Sequence, residues 1–293
     1  MSAMTELSQA LGDAVAAAET GVVAVVHGPC ETTSGIVYDD HHVVTAAHHL
    51  EQDGTVEVRL GDERLPATVV GTDPASDIAV LRVERALTPL PRASEDTLRA
   101  GNLVVAVSHG PRGARARLGI VSRVGGPWRL GGGTRVERYV ETDIAPAPGL
   151  SGSALVDVSG ALVGVNATGF VRGVLVTLPV SALAPVVGSI IAHGRVRRAK
   201  LGVALQRVEL PAGVAGQIGR KRGLIVLGLA AGGPAERAGV LIGDVLVAVA
   251  GTAVERVDEL QAALDESKLD QDTSIELVRA GAVTSIIVRP EAA

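Results

Sequence analysis

The chain alternates between short apolar runs and clusters of Gly, Pro and Asp, and this alternation predicts a mainly β protein. The runs are rich in Val, Ile and Thr, which are frequent in strands, and the clusters supply the residues of tight turns. About six such runs lie between residues 22 and 83, and about six more lie between residues 103 and 178. We therefore expect two six-stranded β-barrels in tandem.

Helical periodicity appears at three places in the chain. Residues 5–18 and residues 180–193 place apolar side chains on one face of a helix, before the first barrel and after the second. After a basic stretch the pattern changes to strand, turn, strand, helix and strand, with the helix at residues 257–267. This predicts a small α+β domain after the barrels. The predicted organisation is an N-terminal helix (1–20), a two-barrel domain (21–194), a linker (195–200) and a C-terminal domain (201–293).

Composition narrows the classes of partner and cofactor. The 293 residues suffice for two domains with separate cores, and these cores are aliphatic because aromatic residues make up only 1% of the chain. A formal net charge of −5 argues against nucleic acid or an anionic membrane as the main partner. The sequence lacks the histidine and cysteine spacings of metal sites, and it lacks a nucleotide-binding loop motif. We therefore expect no metal and no cofactor.

The N-terminal sequence bears on location. No Lys or Arg precedes Arg59, whereas a secretory signal begins with a positively charged region. The apolar run at residues 21–26 is too short to cross a bilayer. We expect a cytoplasmic location for the chain as written, with the periplasm or the cell envelope as the alternative if an export segment has been removed.

Candidate chemistry begins at Ser151, which lies within the run from Pro148 to Leu155. The neighbouring Gly149 and Gly152 permit a tight turn that exposes a hydroxyl beside converging backbone N–H groups. A nucleophilic serine needs this geometry, because the N–H groups stabilise the oxyanion that its attack creates. A plain Gly/Ser-rich turn between strands is the alternative interpretation, and on its own the motif favours it.

A histidine and an acid occur where a serine nucleophile would need them. His48 ends an apolar strand of the first predicted barrel, and Asp77 directly precedes another. In a cleft between the barrels, His48 would accept the Ser151 proton, and Asp77 would orient the imidazole and stabilise its charged form. Taken separately, His48 could be a core histidine and Asp77 could cap a turn. The order His, Asp, Ser across two β-rich halves favours the catalytic interpretation.

These motifs resemble those of the HtrA (DegP-like) serine proteases. The resemblance rests on residues 45–48, 73–81 and 142–152, with further similarity at residues 101–107 and 118–122. It extends over nearly the whole chain, and it implies a trypsin-like fold.

The resemblance carries expectations for individual residues and for function. It implies a chymotrypsin-like double β-barrel with His48, Asp77 and Ser151 as the catalytic triad. The backbone N–H groups of Gly149 and Ser151 would form the oxyanion hole. It further implies an ATP-independent serine endopeptidase that degrades unfolded or damaged proteins, assembled as a homotrimer.

The chain departs from the family pattern beside the serine. Leu150 stands where the family usually has Asn, and Ser153 stands where it usually has Gly. A Cβ at residue 153 matters if the turn needs a left-handed backbone conformation there. The alternative function is therefore a weakly active or non-catalytic HtrA-like chaperone or peptide-binding protein.

The predicted substrate pocket consists of Ala145, Pro146 and Phe170. Cleavage after Lys or Arg needs a carboxylate at the base of the pocket, six positions before the serine, where this chain has Ala145. Pro146 and residues 167–170 are the predicted walls. Such an apolar pocket favours a small or medium aliphatic residue before the cleaved bond.

The C-terminal domain resembles a PDZ domain. The run from Gly233 to Leu246 carries this resemblance, and the family's carboxylate-binding loop matches residues 200–203. A peptide C-terminus would be held by strand addition, with loop N–H groups on its carboxylate. Leu201, Gly202 and Val203 are the predicted peptide-binding residues, and apolar C-termini are the expected ligands.

Overall fold

The computed structural model divides into two compact units, Met1–Val196 and Arg197–Ala293. The structure describes residues 2–28, 32–50, 56–110, 113–129, 135–264 and 266–292. Cys30, the single cysteine, lies outside these ranges. Within them, no helix combines the length and apolar character needed to cross a bilayer.

Two closed, six-stranded antiparallel barrels form the first unit, which confirms the predicted fold class. The strands of the first barrel are β1 (Val22–Val26), β2 (Thr32–Val37), β3 (His42–Ala46), β4 (Val56–Leu60), β5 (Glu63–Asp73) and β6 (Ile78–Val83). Next come β7 (Leu103–Gly110), β8 (Gly113–Gly125), β9 (Trp128–Arg129), β10 (Arg135–Val136), β11 (Tyr139–Thr142), β12 (Ala154–Asp157), β13 (Leu162–Ala167) and β14 (Leu175–Pro179). The barrel orders are β1-β2-β3-β6-β5-β4 and β11-β14-β13-β12-β7-β8, and β9 with β10 forms a separate two-stranded ribbon.

The barrel strands are apolar on both faces because each face meets a different core. On β7, Val104 and Ala106 point into the second barrel, whereas Val105 and Val107 join a core shared by both barrels. Strands β1 and β3 divide their residues in the same way between the first barrel and the shared core. This alternation of period two explains why the sequence shows continuous apolar runs here.

The two long helices of the first unit each contact strands of both barrels. Helix α1 (Ala3–Glu19) precedes the first barrel but packs on β7 and β12 of the second, burying Ala14 and Ala18. Helix α2 (Val180–His193) follows the second barrel and packs on β5 and β6 of the first barrel as well as on β13 and β14 of the second. The chain after α2 passes so close to β5 that a Cβ at Gly71 would lie 1.9 Å from the Gly194 carbonyl oxygen.

The second unit is an α+β domain, as predicted. Its sheet contains β16 (Val203–Glu209), β17 (Arg222–Leu229), β18 (Val245–Val249), β20 (Thr273–Arg279) and β21 (Ala282–Val288) in that order, with β19 (Thr252–Ala253) beside β18. A short pair joins β15 (Ala199–Lys200) to β22 (Glu291–Ala292). Its helices are α3 (Ala212–Ile218), α4 (Pro234–Arg237) and α5 (Val257–Ala263). Helix α5 is shorter than the predicted 257–267, because Leu264 already leaves the helical backbone region.

A buried carboxylate closes the loop before β18. The Asp244 side chain, 1% exposed, accepts two hydrogen bonds from Arg279, at 2.8 and 2.7 Å, and one from the Leu241 N–H at 2.8 Å. Burial alone would raise the pKa of the Asp244 carboxyl. The hydrogen bonds from Arg279 and Leu241, together with the charge of Arg279, outweigh burial and hold this pKa below its ordinary value.

Replacing Asp244 by Asn is expected to destabilise the second unit by about 1–3 kcal/mol, since hydrogen bonds to a charged group are lost. A carboxyl with a depressed folded-state pKa stabilises the fold above its unfolded pKa, and this contribution disappears as pH falls through the folded value. Below about pH 4 the wild type should therefore converge on the variant. Hydrogen exchange of β18 and β20 measures this stability.

The matched control for Asp244→Asn is Glu209→Gln, which removes a carboxylate from an exposed pair with Arg222 in the same sheet. An exposed pair of this kind contributes little, so the control should leave exchange almost unchanged. Equal effects of the two substitutions would contradict the role assigned to Asp244.

Candidate active site

The ends of two paired strands bring His48 and Asp77 together. Strands β3 and β6 pair with Ala46 opposite Ile78, so the residues just beyond this pair are neighbours. The His48 backbone N–H donates to Asp77 Oδ1 at 2.9 Å. His48 Nδ1 lies 2.7 Å from Asp77 Oδ2 and 2.9 Å from Oδ1. Because a carboxylate only accepts, Nδ1 carries a proton, and Nε2 is the ring nitrogen on the side away from Asp77 that can exchange a proton.

A constrained turn presents the Asp77 carboxylate to His48. Asp77 has a positive φ of 54°, which is uncommon for a residue with a side chain. The turn before it is held by the buried Asp73, whose Oδ2 accepts from the N–H and the hydroxyl of Ser76 at 3.0 and 2.5 Å. Strain at a position that orients another side chain is typical of functional sites.

Ser151 lies in the turn that leads into β12. The Leu150 N–H donates to the Ala147 carbonyl at 3.2 Å, and Gly149 has a φ of 84°, as in a type II turn. Gly152 also has a positive φ, of 77°, and a Cβ there would lie 2.4 Å from the Ser34 carbonyl oxygen. Both glycines are therefore required by the backbone.

Strand β2 of the first barrel holds this turn of the second barrel. Thr33 Oγ1 donates to the Ser151 carbonyl at 3.2 Å, and Ser34 Oγ donates to the Gly149 carbonyl at 3.0 Å. Among the described residues, the N–H groups of Gly149 and Ser151 have no hydrogen-bond partner. Two donors beside the serine are thus left available, as an oxyanion hole requires.

Ser153 fits its position without backbone strain, since it is not among the residues with positive φ. Its buried hydroxyl donates to the Leu150 carbonyl at 2.6 Å and accepts from Asn166 Nδ2 at 3.0 Å. Thr177 Oγ1 completes the chain by donating to Asn166 Oδ1 at 2.8 Å. The serine that departs from the family pattern therefore ties the turn to β13 and β14.

The hydroxyl of Ser151 points to a residue outside the predicted triad. Ser151 Oγ lies 2.6 Å from Thr168 Oγ1, and the Thr168 N–H donates to the same oxygen at 3.3 Å. In the described part of the chain, no hydrogen bond joins Ser151 to His48. Ser151 itself is 2% exposed.

His48 and Ser151 nevertheless line one cavity of about 610 Å³ in the first unit. Polar and apolar side chains share its wall. The lining residues are His27, Thr32, Thr33, His48, His49, Pro146, Ala147, Pro148, Gly149, Ser151 and Thr168.

The predicted pocket residues occupy three different environments. Pro146 lines the cavity, whereas Ala145 is exposed and outside the lining. Phe170 packs edge-on against Trp128 with 6.3 Å between the ring centres, and it also lies outside the lining. Thr168 takes a place on the wall instead. The only sequence signal for Thr168 was its position within the stretch predicted as a pocket wall.

In the predicted peptide-binding loop of the second unit, backbone N–H groups and not side chains are available to a ligand. Leu201 is buried in the core, and Gly202 has a φ of 72°. Among the described residues, the N–H groups of Leu201 and Gly202 have no partner. Val203 begins β16, which is an edge strand of the sheet with α5 beside it. An open strand edge next to a helix can accept an added strand.

Comparison with known proteins agrees with this architecture. A trypsin-like peptidase domain family matches residues 33–165, and a PDZ domain family matches residues 225–279. The probable periplasmic DegP-like serine endoprotease of Chlamydia pneumoniae is 29% identical over 266 residues, covering 87% of this chain and 54% of the relative. The periplasmic serine endoprotease DegP of Salmonella typhimurium is 29% identical over 267 residues, covering 86% and 55%. The chain thus spans about half the length of the curated relatives it matches.

Solved structures show the same likeness over nearly the whole chain. The HtrA-type protease AlgW with decapeptide has a TM-score of 0.77 and 26% identity, covering 97% of this chain and 98% of that chain. The fold is therefore that of a trypsin-like peptidase domain followed by a PDZ domain. Within this fold class, the predicted resemblance to the HtrA (DegP-like) serine proteases is confirmed: a trypsin-like peptidase domain precedes a PDZ domain.

The expected cytoplasmic location is wrong. It rested on the missing positive charge near the N-terminus, whereas the matching relatives are named periplasmic. Their names favour the cell envelope over the cytoplasm. The prediction used only the charges near the first residue, whereas the comparison uses the folded domains that this chain shares with its relatives.

Replacing Ser153 by Ala is expected to lower the free energy of unfolding of the first unit by about 1–3 kcal/mol. The substitution leaves Asn166 Nδ2 without its buried acceptor, and an unsatisfied buried donor has a cost of this size. Trp128, the only tryptophan of the chain, lies in the first unit, so its fluorescence during urea unfolding reports on this unit.

Ser94→Ala is the matched control for Ser153→Ala. Ser94 is exposed in the same unit, and its side chain makes no capping hydrogen bond. The control should change stability by less than about 0.5 kcal/mol. If Ser153→Ala were as stable as Ser94→Ala, the buried network would not stabilise the turn.

Proposed function

We propose that this chain is a serine endopeptidase in which Ser151 is the nucleophile, His48 the general base and Asp77 the residue that orients His48. The observation that carries this proposal is the His48–Asp77 pair, in which Nδ1 faces the carboxylate, within the cavity that Ser151 also lines. The peptidase domain match and the relatives named serine endoproteases support it.

The reaction follows from these roles. Ser151 Oγ attacks the carbonyl carbon of the peptide bond as its proton passes to His48 Nε2. The free N–H groups of Gly149 and Ser151 stabilise the negative oxygen that forms. His48 then returns the proton to the leaving amine as the C–N bond breaks, and water releases the acyl group by the same steps in reverse.

The proposed substrates are unfolded or damaged proteins, cleaved without ATP after small or medium aliphatic residues. The wall of the cavity supports this preference, since the described lining residues include Pro146 and Ala147 and no carboxylate. A carboxylate would be needed to bind the cation of Lys or Arg. The sequence also lacks the nucleotide-binding loop that ATP-driven enzymes use.

We also propose that the second unit binds peptide C-termini. The free N–H groups of Leu201 and Gly202 would hold the terminal carboxylate, and the peptide would pair with β16 beside α5. Leu201 would act through its backbone, because its side chain is buried in the core. The family's homotrimer stays a prediction for this chain, and the cell envelope is its proposed location.

Casein hydrolysis tests the catalytic assignment. The wild type should digest casein without ATP, and Ser151→Ala should lose at least about a thousandfold in rate, because the nucleophile is removed. Mass spectrometry of the products should show cleavage mainly after Val, Ala, Leu or Ile.

Ser94→Ala again provides the matched serine control, and it should retain wild-type activity. Equal turnover by the wild type and Ser151→Ala would refute the catalytic role of Ser151. It would favour a weakly active or non-catalytic peptide-binding protein instead. Cleavage mainly after Lys or Arg would refute the proposed pocket while leaving the triad intact.

Calorimetric titration with peptides tests the proposed role of the second unit. Peptides ending in Val, Leu or Ala should bind to the full chain carrying Ser151→Ala, which prevents their digestion. The same peptides with an amidated C-terminus should bind about tenfold more weakly or worse, since hydrogen bonds to a charged carboxylate are lost. Equal binding of the acid and amide forms would contradict the carboxylate-binding loop.

A further inference from the structure

Thr168 holds the Ser151 hydroxyl by two contacts that the triad does not explain. Its hydroxyl lies 2.6 Å from Ser151 Oγ, and its N–H donates to the same atom at 3.3 Å. We propose that Thr168 is a positioning residue that keeps the nucleophile in a resting orientation away from His48. This inference rests on the proposed role of Ser151 as nucleophile.

The count of protons and lone pairs shows why the Thr168 contacts compete with catalysis. A serine hydroxyl has one proton and two lone pairs. If Ser151 donates to Thr168 Oγ1, its only proton is not available to His48. If Thr168 Oγ1 donates instead, both lone pairs of Ser151 Oγ accept from Thr168, and neither is free to attack a carbonyl. Either direction of the bond opposes activation.

The resting orientation is a property of one side chain and not of the turn. The Ser151 carbonyl accepts from Thr33, and the Gly152 N–H donates to the Asn166 carbonyl at 2.9 Å. These bonds fix the backbone on both sides of the nucleophile. With the backbone held in this way, the Ser151 hydroxyl changes its orientation by rotation about χ1 between staggered positions.

The rest of the site is already arranged for catalysis. His48 is paired with Asp77, and the N–H groups of Gly149 and Ser151 are free within the described chain. Release of the hydroxyl from Thr168 is therefore the step that remains.

Thr168 is placed where a substrate can influence this step. It directly follows β13 and is half-buried, and its side chain lies on the wall of the cavity that Ser151 and His48 also line. A peptide bound in the cavity at Ser151 would lie beside this wall. Contacts between the peptide and Thr168 would then compete with the bond that holds the nucleophile.

The test compares Thr168→Val with Thr168→Ser. Valine keeps the branched shape and the backbone N–H but removes the hydroxyl, whereas serine keeps the hydroxyl. Thr168→Val should react about threefold to tenfold faster, because a hydrogen bond between neutral groups stabilises the resting state by roughly this factor. Thr168→Ser should remain within about twofold of the wild type.

Two readouts separate positioning from a structural role. The first is the second-order rate of labelling by a fluorophosphonate, in which the Oγ–P bond forms, the P–F bond breaks, fluoride leaves and the hydroxyl proton passes to His48. The second is steady-state hydrolysis of a short peptide ester. The increase should appear in kcat with little change in KM, which a general loosening of the cavity would not produce.

Parallel controls keep this proposal separate from the catalytic assignment. If the wild type and both Thr168 variants label no faster than Ser151→Ala, the catalytic assignment itself fails. If the wild type labels but Thr168→Val labels at the same rate or more slowly, Thr168 does not restrain the nucleophile and the proposal is wrong. If Thr168→Val does not fold, as judged by Trp128 fluorescence, Thr168→Ala replaces it under the same criteria.

Discussion

The site depends on the hydrogen bonds by which β2 of the first barrel holds the serine turn of the second. Ser151 belongs to one barrel, and His48 and Asp77 belong to the other, so their distances are set by the contact between barrels. Thr33 and Ser34 fix two carbonyls of the turn directly. The close approach of the turn to the Ser34 carbonyl also explains why residue 152 must be glycine. A rigid contact of this kind fixes the backbone from which the reacting side chains act.

Next to this contact, a network of buried hydrogen bonds holds the turn at Ser153, where the family usually has glycine. Ser153 was the residue most at odds with the family pattern, and the structure gives it two hydrogen bonds and an unstrained backbone. Asn166 and Thr177 extend the network into β13 and β14. A fully paired network of this sort rigidifies a turn and is costly to interrupt. Glycine would leave the turn without this tie.

The sequence predicted the features that depend on local pattern. Two barrels, the closing helix at residues 180–193 and the proximity of His48 to Asp77 follow from strand periodicity and from motifs whose spacing is fixed by paired strands. Features that depend on packing between distant segments could not be read in this way. The hydroxyl of Thr168 contacts Ser151, the Phe170 ring packs against Trp128 and not in the cavity wall, and the Leu201 side chain lies in the core. Each of these outcomes is decided by neighbours far along the chain.

The packing of α1 and α2 on distant strands has a consequence for the order of folding. Helix α1 packs mainly on strands of the second barrel, and α2 packs on strands of both, so each barrel is covered in part by a helix that lies far from it in sequence. Contacts between such distant segments form slowly, because a long loop must close before they stabilise anything. In a chain that emerges from its N-terminus, the strands of the first barrel are complete at residue 83, but the helix that covers β5 and β6 follows only at residues 180–193. Until then the side of β5 and β6 that α2 covers is exposed, and partly folded chains with exposed apolar surface are prone to aggregate.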